Sequence, residues 1–221
     1  MDVRVLKKLT TTLSVDSEGD YGSHGKPGGK SAARFSIREL GSLTWPDFER
    51  MVEKHNGAWG GCSCTFFHLA PSEAKLWSGK HKEYKEKLVR VNRSHAALVY
   101  DGADVVGWCQ FGPLVELPGR MSGYGKMDVA PPEWRITCFF VDRDNRKAGV
   151  ARAALEGALG FIAARGGGTV DGYPIALPRG KPYSSSFLWG GTESMFSERG
   201  FRPLGSLGTS KRVMVMAKSR S

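Results

Sequence analysis

The sequence predicts an α/β (α+β) fold in which a mixed central sheet of about seven strands is flanked by about four helices. The first observation is an apolar run, Ile136–Val141, that a short polar turn connects to an apolar helix ending near Arg165. The second is a pair of apolar runs within residues 96–111, joined by an Asp-Gly turn, which predicts a β-hairpin. The third is the order of all segments over residues 33–218, β-α-α-β-β-β-α-β-α-β-β.

The N-terminal half is expected to contribute an extension, a strand and two helices. Residues 1–32 mix Thr, Ser, Gly, Asp and Lys and predict a flexible extension ahead of a domain over residues 33–221. Alternation over residues 35–40 predicts the first strand. A polar cap, an early proline and one apolar face predict a helix over residues 44–55. The charged residues 71–93 predict a second, largely solvated helix.

The C-terminal half is expected to supply the remaining strands and a long loop. Residues 114–132 carry several Gly and Pro residues, and a loop of this length in a compact domain is usually functional or mobile. Residues 169–175 predict a fifth strand, and residues 193–199 predict a short helix that ends at a Gly-Phe turn. A final antiparallel pair begins at Phe201 and includes residues 212–217.

Composition limits the environment and the partners of this chain. Its 221 residues are 40% apolar, and no apolar run approaches the length of a membrane span. There is no apolar signal segment at the N-terminus, and the four cysteines do not suggest a disulfide framework, so we expect a cytoplasmic protein without membrane contact. A net charge of +10 favours anionic partners. No nucleic-acid recognition motif accompanies this charge, so specific nucleic-acid binding is not expected.

The turn between the central strand and its helix predicts an anion site. Residues 146–151 read Arg-Lys-Ala-Gly-Val-Ala, and the small residues allow another molecule to approach the backbone. The first turn of a helix leaves its amide hydrogens unpaired and carries a partial positive charge, which suits phosphate. An ordinary strand-turn-helix unit is the alternative. The basic residues around the turn favour the anion site; they are Arg143, Arg146, Lys147 and Arg152.

This Arg-x-x-Gly-x-Ala segment after an apolar strand resembles the acyl-CoA pyrophosphate loop of the GNAT (Gcn5-related) N-acetyltransferase family. The hairpin before it and the Gly200-Phe201 turn after it resemble the same family. The resemblance implies the GNAT acyl-CoA N-acyltransferase fold, acetyl-CoA as co-substrate and no metal, and it allows a homodimer. It implies cofactor-binding residues along the central strand and the turn: Phe139, Phe140, Val141, Arg146, Lys147, Ala148, Gly149, Val150, Ala151 and Arg152.

The resemblance also directs attention to acid and base positions, where this sequence departs from the family. The family often places a Glu general base on the central strand, and the matching position here is Arg135. Glu133, two residues earlier, would share its face and is the first candidate base. Asp128 and Glu116 follow as candidates, although each is also a plausible solvated carboxylate. Phe196 stands where the family often has a Tyr general acid, which leaves Tyr183 and nearby serines as candidates.

The aromatic, glycine-rich segment 58–68 is expected to wall a cavity for the acceptor. A metal site through Cys62, Cys64 and His68 is less favoured, because it lacks a fourth ligand and the usual spacing. In the GNAT family the connection between the first two helices borders the acceptor site. The implied substrate-binding residues are therefore Trp59, Cys64, Phe67, His68 and Glu116.

These features predict an N-acetyltransferase that moves an acetyl group from acetyl-CoA to a primary amine of a small molecule, by direct attack in a ternary complex. An aminoglycoside-type antibiotic is one such acceptor, which would make the protein a resistance enzyme. Two alternatives stay open. One is acetylation of a protein or RNA amine with the basic surface as docking site. The other is an acyl-CoA-binding module without turnover, which the missing hydroxyl at Phe196 suggests.

Overall fold

The structure, a computed structural model, describes most of the predicted domain. The described residues are 34–58, 60–70, 72–73, 75–119, 124, 127, 130–177 and 185–219, with side chains from 188 onwards in the last range. The predicted extension, residues 1–32, lies outside the described residues. No helix in the described ranges combines the length and the hydropathy that a membrane crossing needs.

The described chain forms one mixed sheet with helices on both faces, as the sequence predicts. The sheet order is β1-β2-β3-β4-β5-β7-β6, and every neighbouring pair is antiparallel except β4 and β5. The predicted fold class, seven strands with four helices, is confirmed. In chain order the elements are β1 (Ser36–Glu39), α1 (Trp45–Lys54), α2 (His81–Arg90), β2 (His95–Asp101), β3 (Asp104–Pro113), β4 (Trp134–Val141), α3 (Val150–Ala164), β5 (Gly168–Gly172), α4 (Glu193–Ser197), β6 (Arg202–Leu207) and β7 (Lys211–Lys218).

Strand β4 divides the core into two layers. Ile136 and Phe139 pack with α3 and α4 on one face, which we call the α3 face. Cys138 and Phe140 pack with α1 and the loop after it on the opposite face, which we call the α1 face. Alternation places Cys138 and Phe140 on one face, whereas Ile136 and Phe139, three residues apart, share the other face because a bulge lies between them.

A β-bulge interrupts β4 at its centre. Cys109 of β3 pairs with Phe139, whereas Phe111 pairs with Ile136, so two residues of β4 face one residue of β3. A bulge of this kind bends its strand and increases its twist. The bulge therefore redirects the second half of β4 relative to the first half.

Two predicted elements are shorter than the sequence suggested. The second helix was expected over residues 71–93, but α2 spans only His81–Arg90, and the described residues before it form turns. Gly79 has a φ of +77°, a left-handed conformation that cannot continue a helix, which explains the late start. The fifth strand, expected over residues 169–175, ends at Gly172. Beyond it Ile175 forms isolated bridges to Thr192 and Lys211.

A test of the β3–β4–α3 packing uses Gly107. A Cβ atom there would lie 2.6 Å from the Phe140 carbonyl oxygen and 2.6 Å from Val150 Cγ1. We expect Gly107→Ala to lower the free energy of unfolding by about 1–3 kcal/mol, because overpacking displaces both partners. Urea denaturation measures the change.

Gly160 of α3 provides the matched control. It has nothing within 4 Å of an added Cβ, so Gly160→Ala should stabilise the protein by about 0.5–1 kcal/mol. Equal effects at Gly107 and Gly160 would contradict the close approach of β3 and β4.

Candidate active site

The turn between β4 and α3 has the backbone geometry of an anion cradle. Lys147 and Gly149 adopt positive φ angles of +62° and +91°, and Gly149 caps the helix. The amide of Ala153 donates a hydrogen bond to the carbonyl oxygen of Gly149 at 3.0 Å. The helical amides before Ala153 therefore have no carbonyl acceptor in a preceding turn. These amides, at the positive end of a 15-residue helix, fit an anionic group.

Basic side chains add to this cradle. Arg143, Arg146 and Lys147 are exposed and form no ion pair within the described chain. Arg152 differs, because its guanidinium donates to the Glu198 carboxylate at 2.7 and 2.9 Å and thereby anchors α3 to the end of α4. Three cations are therefore free to meet a diphosphate at this turn.

Strands β4 and β5 are paired only at their beginnings. The parallel ladder joins Trp134–Ile136 to Val170–Gly172, and β4 then continues to Val141 without β5 beside it. We call the opening between the two strands the β4–β5 cleft. The extension of β4 carries Phe139, Phe140 and Val141, the residues that the sequence assigns to cofactor contacts.

The side chains of this extension are anchored on both faces. The Phe139 ring lies 6.0 Å from that of Phe196 on the α3 face. The Phe140 ring stacks at 4.6 Å on Trp108 on the α1 face. Aromatic contacts on both sides hold the main chain of β4 in place beyond its ladder with β5.

An aromatic cluster lies on the α1 face near the cleft. The Phe67 ring is 6.0 Å from Tyr173 and 5.9 Å from Trp189, and Tyr124 meets Tyr173 edge-on at 5.6 Å. Lys211 of β7 places its Nζ 3.6 Å from the centre of the Trp189 ring. Of these residues, the sequence assigned only Phe67 to the acceptor wall. Tyr124, Tyr173, Trp189 and Lys211 were missed, because each comes from a different segment and none belongs to a recognisable motif.

Arg135, at the position where a catalytic base was sought, forms a buried ion pair. Its Nε and Nη2 atoms donate to the two carboxylate oxygens of Asp171, each at 2.9 Å. The guanidinium lies 5.0 Å from the Tyr124 ring and 5.1 Å from the Tyr173 ring. Burial alone would lower the pKa of Arg135, but hydrogen bonding to Asp171 and its charge raise that pKa overall. Arg135 is therefore a permanent cation that neutralises Asp171.

His68, predicted to line the acceptor site, is fully engaged inside the protein. Its Nδ1 lies 2.9 Å from the carbonyl oxygen of Glu116, which can only accept, so Nδ1 carries the proton. Its Nε2 lies 3.0 Å from Ser94 Oγ. Burial lowers the pKa of His68 well below its ordinary value. A neutral imidazole thus joins the loop after α1 to the loop after β3, with Glu116 contributing its main chain.

A buried lysine extends this polar network towards the bulge of β4. Lys85 of α2 donates from Nζ to Gln110 Oε1 at 2.5 Å, and Gln110 Nε2 donates to Thr137 Oγ1 at 3.0 Å. Burial lowers the pKa of Lys85 to about 8. The network supports the residues of β4 that lie opposite Gln110.

Cys64 is also buried in the same region. Its Sγ accepts a hydrogen bond from Trp108 Nε1 at 3.2 Å, and a hydrogen bond with Cys138 lowers the pKa of its thiol. The φ of Cys64 is +56°, so the loop turns sharply here with the thiol facing β3 and β4. Cys64, like His68, therefore supports the predicted acceptor wall from behind.

The structure describes some of the predicted site residues and leaves others outside the described residues. Trp59, an acceptor-wall candidate, falls outside the described residues together with Asp128 and Tyr183. Glu133 is exposed at the start of β4, and its carboxylate accepts from the Thr169 amide at 2.5 Å and from the Thr169 hydroxyl at 3.2 Å. These contacts fix the entry to β5. The assignment of Glu133 as general base stays a prediction.

Phe196 occupies the place in which an acidic hydroxyl was sought, and its surroundings are apolar. Its ring packs edge-on against Phe201 at 4.8 Å. A Cβ atom at Gly172 would lie 2.4 Å from the same ring, so glycine at the end of β5 makes room for it. Phe196 therefore closes the α3 face of the core beneath the cleft.

A separate groove of about 540 Å³ lies next to the residues that precede the cradle. It lies between α1 and the β2–β3 turn and reaches Asp142 and Asn145, which precede the cradle. None of the predicted acceptor-wall residues lines it. Lys54 donates to Asp142 across it at 2.5 Å, so part of its charge is internally balanced.

Comparisons with known proteins bear on the family and the fold of this chain. Residues 62–171, about half of the chain, match the model of the acetyltransferase (GNAT) family. No curated protein sequence matches the chain significantly.

Solved structures with a similar fold include several acetyltransferases. Histone acetyltransferase HPA2 and related acetyltransferase from Corynebacterium glutamicum is 16% identical, with 85% of this chain and 97% of that chain covered and a TM-score of 0.48. The PaiA N-acetyltransferase of Thermoplasma acidophilum, in complex with coenzyme A, is 14% identical over 83% of this chain and 98% of that chain, with a TM-score of 0.46. Arabidopsis thaliana NAA60, in complex with a bisubstrate analogue, is 13% identical over 85% of this chain and 99% of that chain, with a TM-score of 0.44. At these identities the likeness identifies no substrate.

The Arg135–Asp171 pair is open to a direct stability test. We expect Arg135→Met to lower the free energy of unfolding by about 3–5 kcal/mol, because the Asp171 carboxylate is left buried without its counter-charge. The double variant Arg135→Met/Asp171→Leu removes both charges and should recover a large part of the loss. Chemical denaturation of both variants measures this difference. A double variant as unstable as the single one would show that packing around Tyr124 and Tyr173, rather than charge, dominates.

Proposed function

Because the chain belongs to the GNAT acetyltransferase family, we propose that it transfers an acetyl group from acetyl-CoA to a primary amine of a small molecule. The observation that carries this proposal is the cradle at the start of α3, where unpaired amides and three free cations follow β4 directly. A diphosphate is the anion that this arrangement fits best. The adjoining β4–β5 cleft offers a path from the cradle into the core.

Each part of the co-substrate has residues suited to hold it. The amides of residues 147–152 would bind the pyrophosphate, assisted by the side chains of Arg143, Arg146 and Lys147. Main-chain groups of Phe139–Val141 would hold the pantetheine arm along the extension of β4. Bound acetyl-CoA supplies an activated acetyl thioester, and holding it beside the acceptor supplies much of the rate enhancement.

The proposed reaction is direct attack by the amine on the thioester. The C–N bond forms while the C–S bond breaks, the thiol departs with a proton, and the acetylated amine loses its extra proton. The acceptor must attack as the neutral amine. Asp171 cannot take its proton, because Arg135 and Tyr124 already occupy that carboxylate. Glu133 stays a proposal as base, as do Asp128 as base and Tyr183 as acid.

Acetylation of a protein or RNA amine, one of the two alternatives, has less support from the charges of α2. Of its cations, Lys82 is held by Glu49 and Glu53, and Arg90 is held by Glu86, so fewer are free to dock an acidic macromolecule. A binding module without turnover is favoured only by the apolar surroundings of Phe196. The turnover experiment below separates this alternative from an enzyme.

The proposed function is tested by thiol release from acetyl-CoA with a panel of amines. Gly149→Asp should weaken acetyl-CoA binding about 10- to 100-fold, because a carboxylate enters the cradle and charge-assisted hydrogen bonds are lost. Calorimetric titration with acetyl-CoA measures the affinity.

Gly79→Asp is the matched control, since Gly79 also has a positive φ, +77°, and has open space around it ahead of α2. Equal affinities of Gly149→Asp and the wild type for acetyl-CoA would show that the cofactor does not bind at this turn. Binding without thiol release from any amine would establish the binding module instead.

The base assignment is tested by Glu133→Gln. With Glu133 as the proposed base, we expect the variant to lose most of its turnover, because an amide cannot accept the proton of the amine, and to lose about 1 kcal/mol of stability with the contacts to Thr169. Unchanged turnover with an unchanged pH profile would reject Glu133 as the base. Thr169→Val, which removes the hydroxyl contact but no carboxylate, is the control. Loss of the acidic limb of the profile in Glu133→Gln alone would establish Glu133 as the base.

A further inference from the structure

Lys211 has a buried ammonium without a hydrogen-bond partner. The residue opens β7 on the same face as the buried Val213, so its side chain points into the α1 face of the core. Its Nζ is inaccessible to solvent, and none of the described residues accepts a hydrogen bond from it. The face of Trp189, 3.6 Å away, is its close neighbour. A lysine nitrogen in such a place is normally paired, because an unpaired buried charge is costly.

The other buried lysine shows what is missing at Lys211. Lys85 Nζ is fully enclosed, and it donates to Gln110 Oε1 at 2.5 Å. Burial lowers the pKa of Lys211 to about 8, as it does for Lys85, but Lys211 has the ring of Trp189 beside it where Lys85 has a hydrogen-bond acceptor. An anionic group beside Lys211 would therefore stabilise it more than any other ligand.

The position of Lys211 places it at the β4–β5 cleft. Immediately after β5, Arg212 N donates to the Pro174 carbonyl at 2.9 Å, and Ala176 N donates to the Ser210 carbonyl at 2.9 Å. Lys211 lies between these two bonds, beyond the point where β4 and β5 cease to pair. Its charge also interacts with Cys138 on the extension of β4. Lys211 therefore lies beside the cleft, at the start of the strand that pairs with β5.

The charges around the aromatic cluster do not suit a cationic acceptor. Within the described ranges, the carboxylate of this cluster is Asp171, and it is saturated by Arg135 and Tyr124. Lys211 is left as the uncompensated charge, and it is positive. A polycationic acceptor such as an aminoglycoside would meet repulsion here, whereas an anionic acceptor would meet a counter-ion beside the Trp189 ring.

We propose that Lys211 binds a carboxylate of the acceptor, so that the substrate is a primary amine carrying a carboxylate and an apolar or aromatic body. This inference rests on the proposed function and names the substrate class for it. Lys211 holds the carboxylate, the half-buried ring of Trp189 contacts the apolar body, and the amine is left facing the cleft. Lys211 is a specificity residue in this account and takes no part in bond making.

The experiment compares matched amines that differ in one charge. Thiol release from acetyl-CoA is measured with phenylalanine, phenylalaninamide and kanamycin, for the wild type, Lys211→Met and Lys211→Arg. We expect the wild type to prefer phenylalanine over phenylalaninamide and kanamycin, through a lower KM for phenylalanine. Lys211→Met should lose about 10- to 100-fold of that preference, the value of a charge-assisted hydrogen bond, while the KM for acetyl-CoA stays unchanged. Lys211→Arg should keep most of the preference, and Lys218→Met, at the far end of β7, should keep all of it.

A binding measurement makes the result independent of turnover. Phenylacetate and phenylacetamide have the same shape and differ in charge, so phenylacetate alone should raise the melting temperature of the wild type and lose that effect in Lys211→Met. Equal stabilisation by both compounds, or by neither, would overturn the anion site. Equal use of phenylalanine and phenylalaninamide, or preference for kanamycin, would overturn the substrate class and leave the proposed function standing. Absence of thiol release with every amine would overturn the proposed function, and the phenylacetate comparison alone would then decide the anion site.

Discussion

The buried ion pair between Arg135 and Asp171 holds the centre of this structure together. The two residues are direct partners in the parallel ladder of β4 and β5, which contains only three residue pairs. Parallel pairing is slightly weaker per residue than antiparallel pairing, so such a short ladder gains much from a cross-strand contact. The pair closes one end of the β4–β5 cleft, and the strands separate one residue later. The place where the cleft opens therefore depends on this interaction.

Around the cleft, β4 lies between a cationic turn and an aromatic cluster. Where it ends, the turn into α3 presents amides and cations to solvent, which suits the phosphates of a nucleotide. On its α1 face, the ring of Trp189 lies beside the ammonium of Lys211, which has no hydrogen-bond partner among the described residues. The bulge and the Lys85–Gln110–Thr137 network hold β4 between these two regions. A molecule bound through both regions would be anchored at the cradle and oriented in the core.

Two positions at which the family often carries a base or an acid hold paired or packed side chains in this chain. Arg135 stands in the place of a carboxylate base, but it is paired, so it contributes architecture. Phe196 stands in the place of a hydroxyl, and it packs against Gly172 and Phe201. In the proposed acetyl transfer, neither position can supply an acid or a base, so that role is left to another residue such as Glu133, to water or to the amine itself.

The order of the strands and helices was readable from the sequence, because it depends on neighbouring residues: apolar alternation, helix caps and turn residues. The small side chains of the turn before α3 predicted a close approach to its backbone, whereas the left-handed φ of Gly149 came from the structure. Local signals also misjudged some ends, since α2 starts only after the left-handed Gly79 and β5 ends where Phe196 packs on Gly172. Tertiary structure alone decided that Arg135 meets Asp171 across 36 positions of sequence, and that Lys211 of the last strand lies beside Trp189 without a partner. The physical reason is that the packing of the whole chain decides which distant side chains meet. The residues next to each partner in the sequence show no pattern that predicts such a contact.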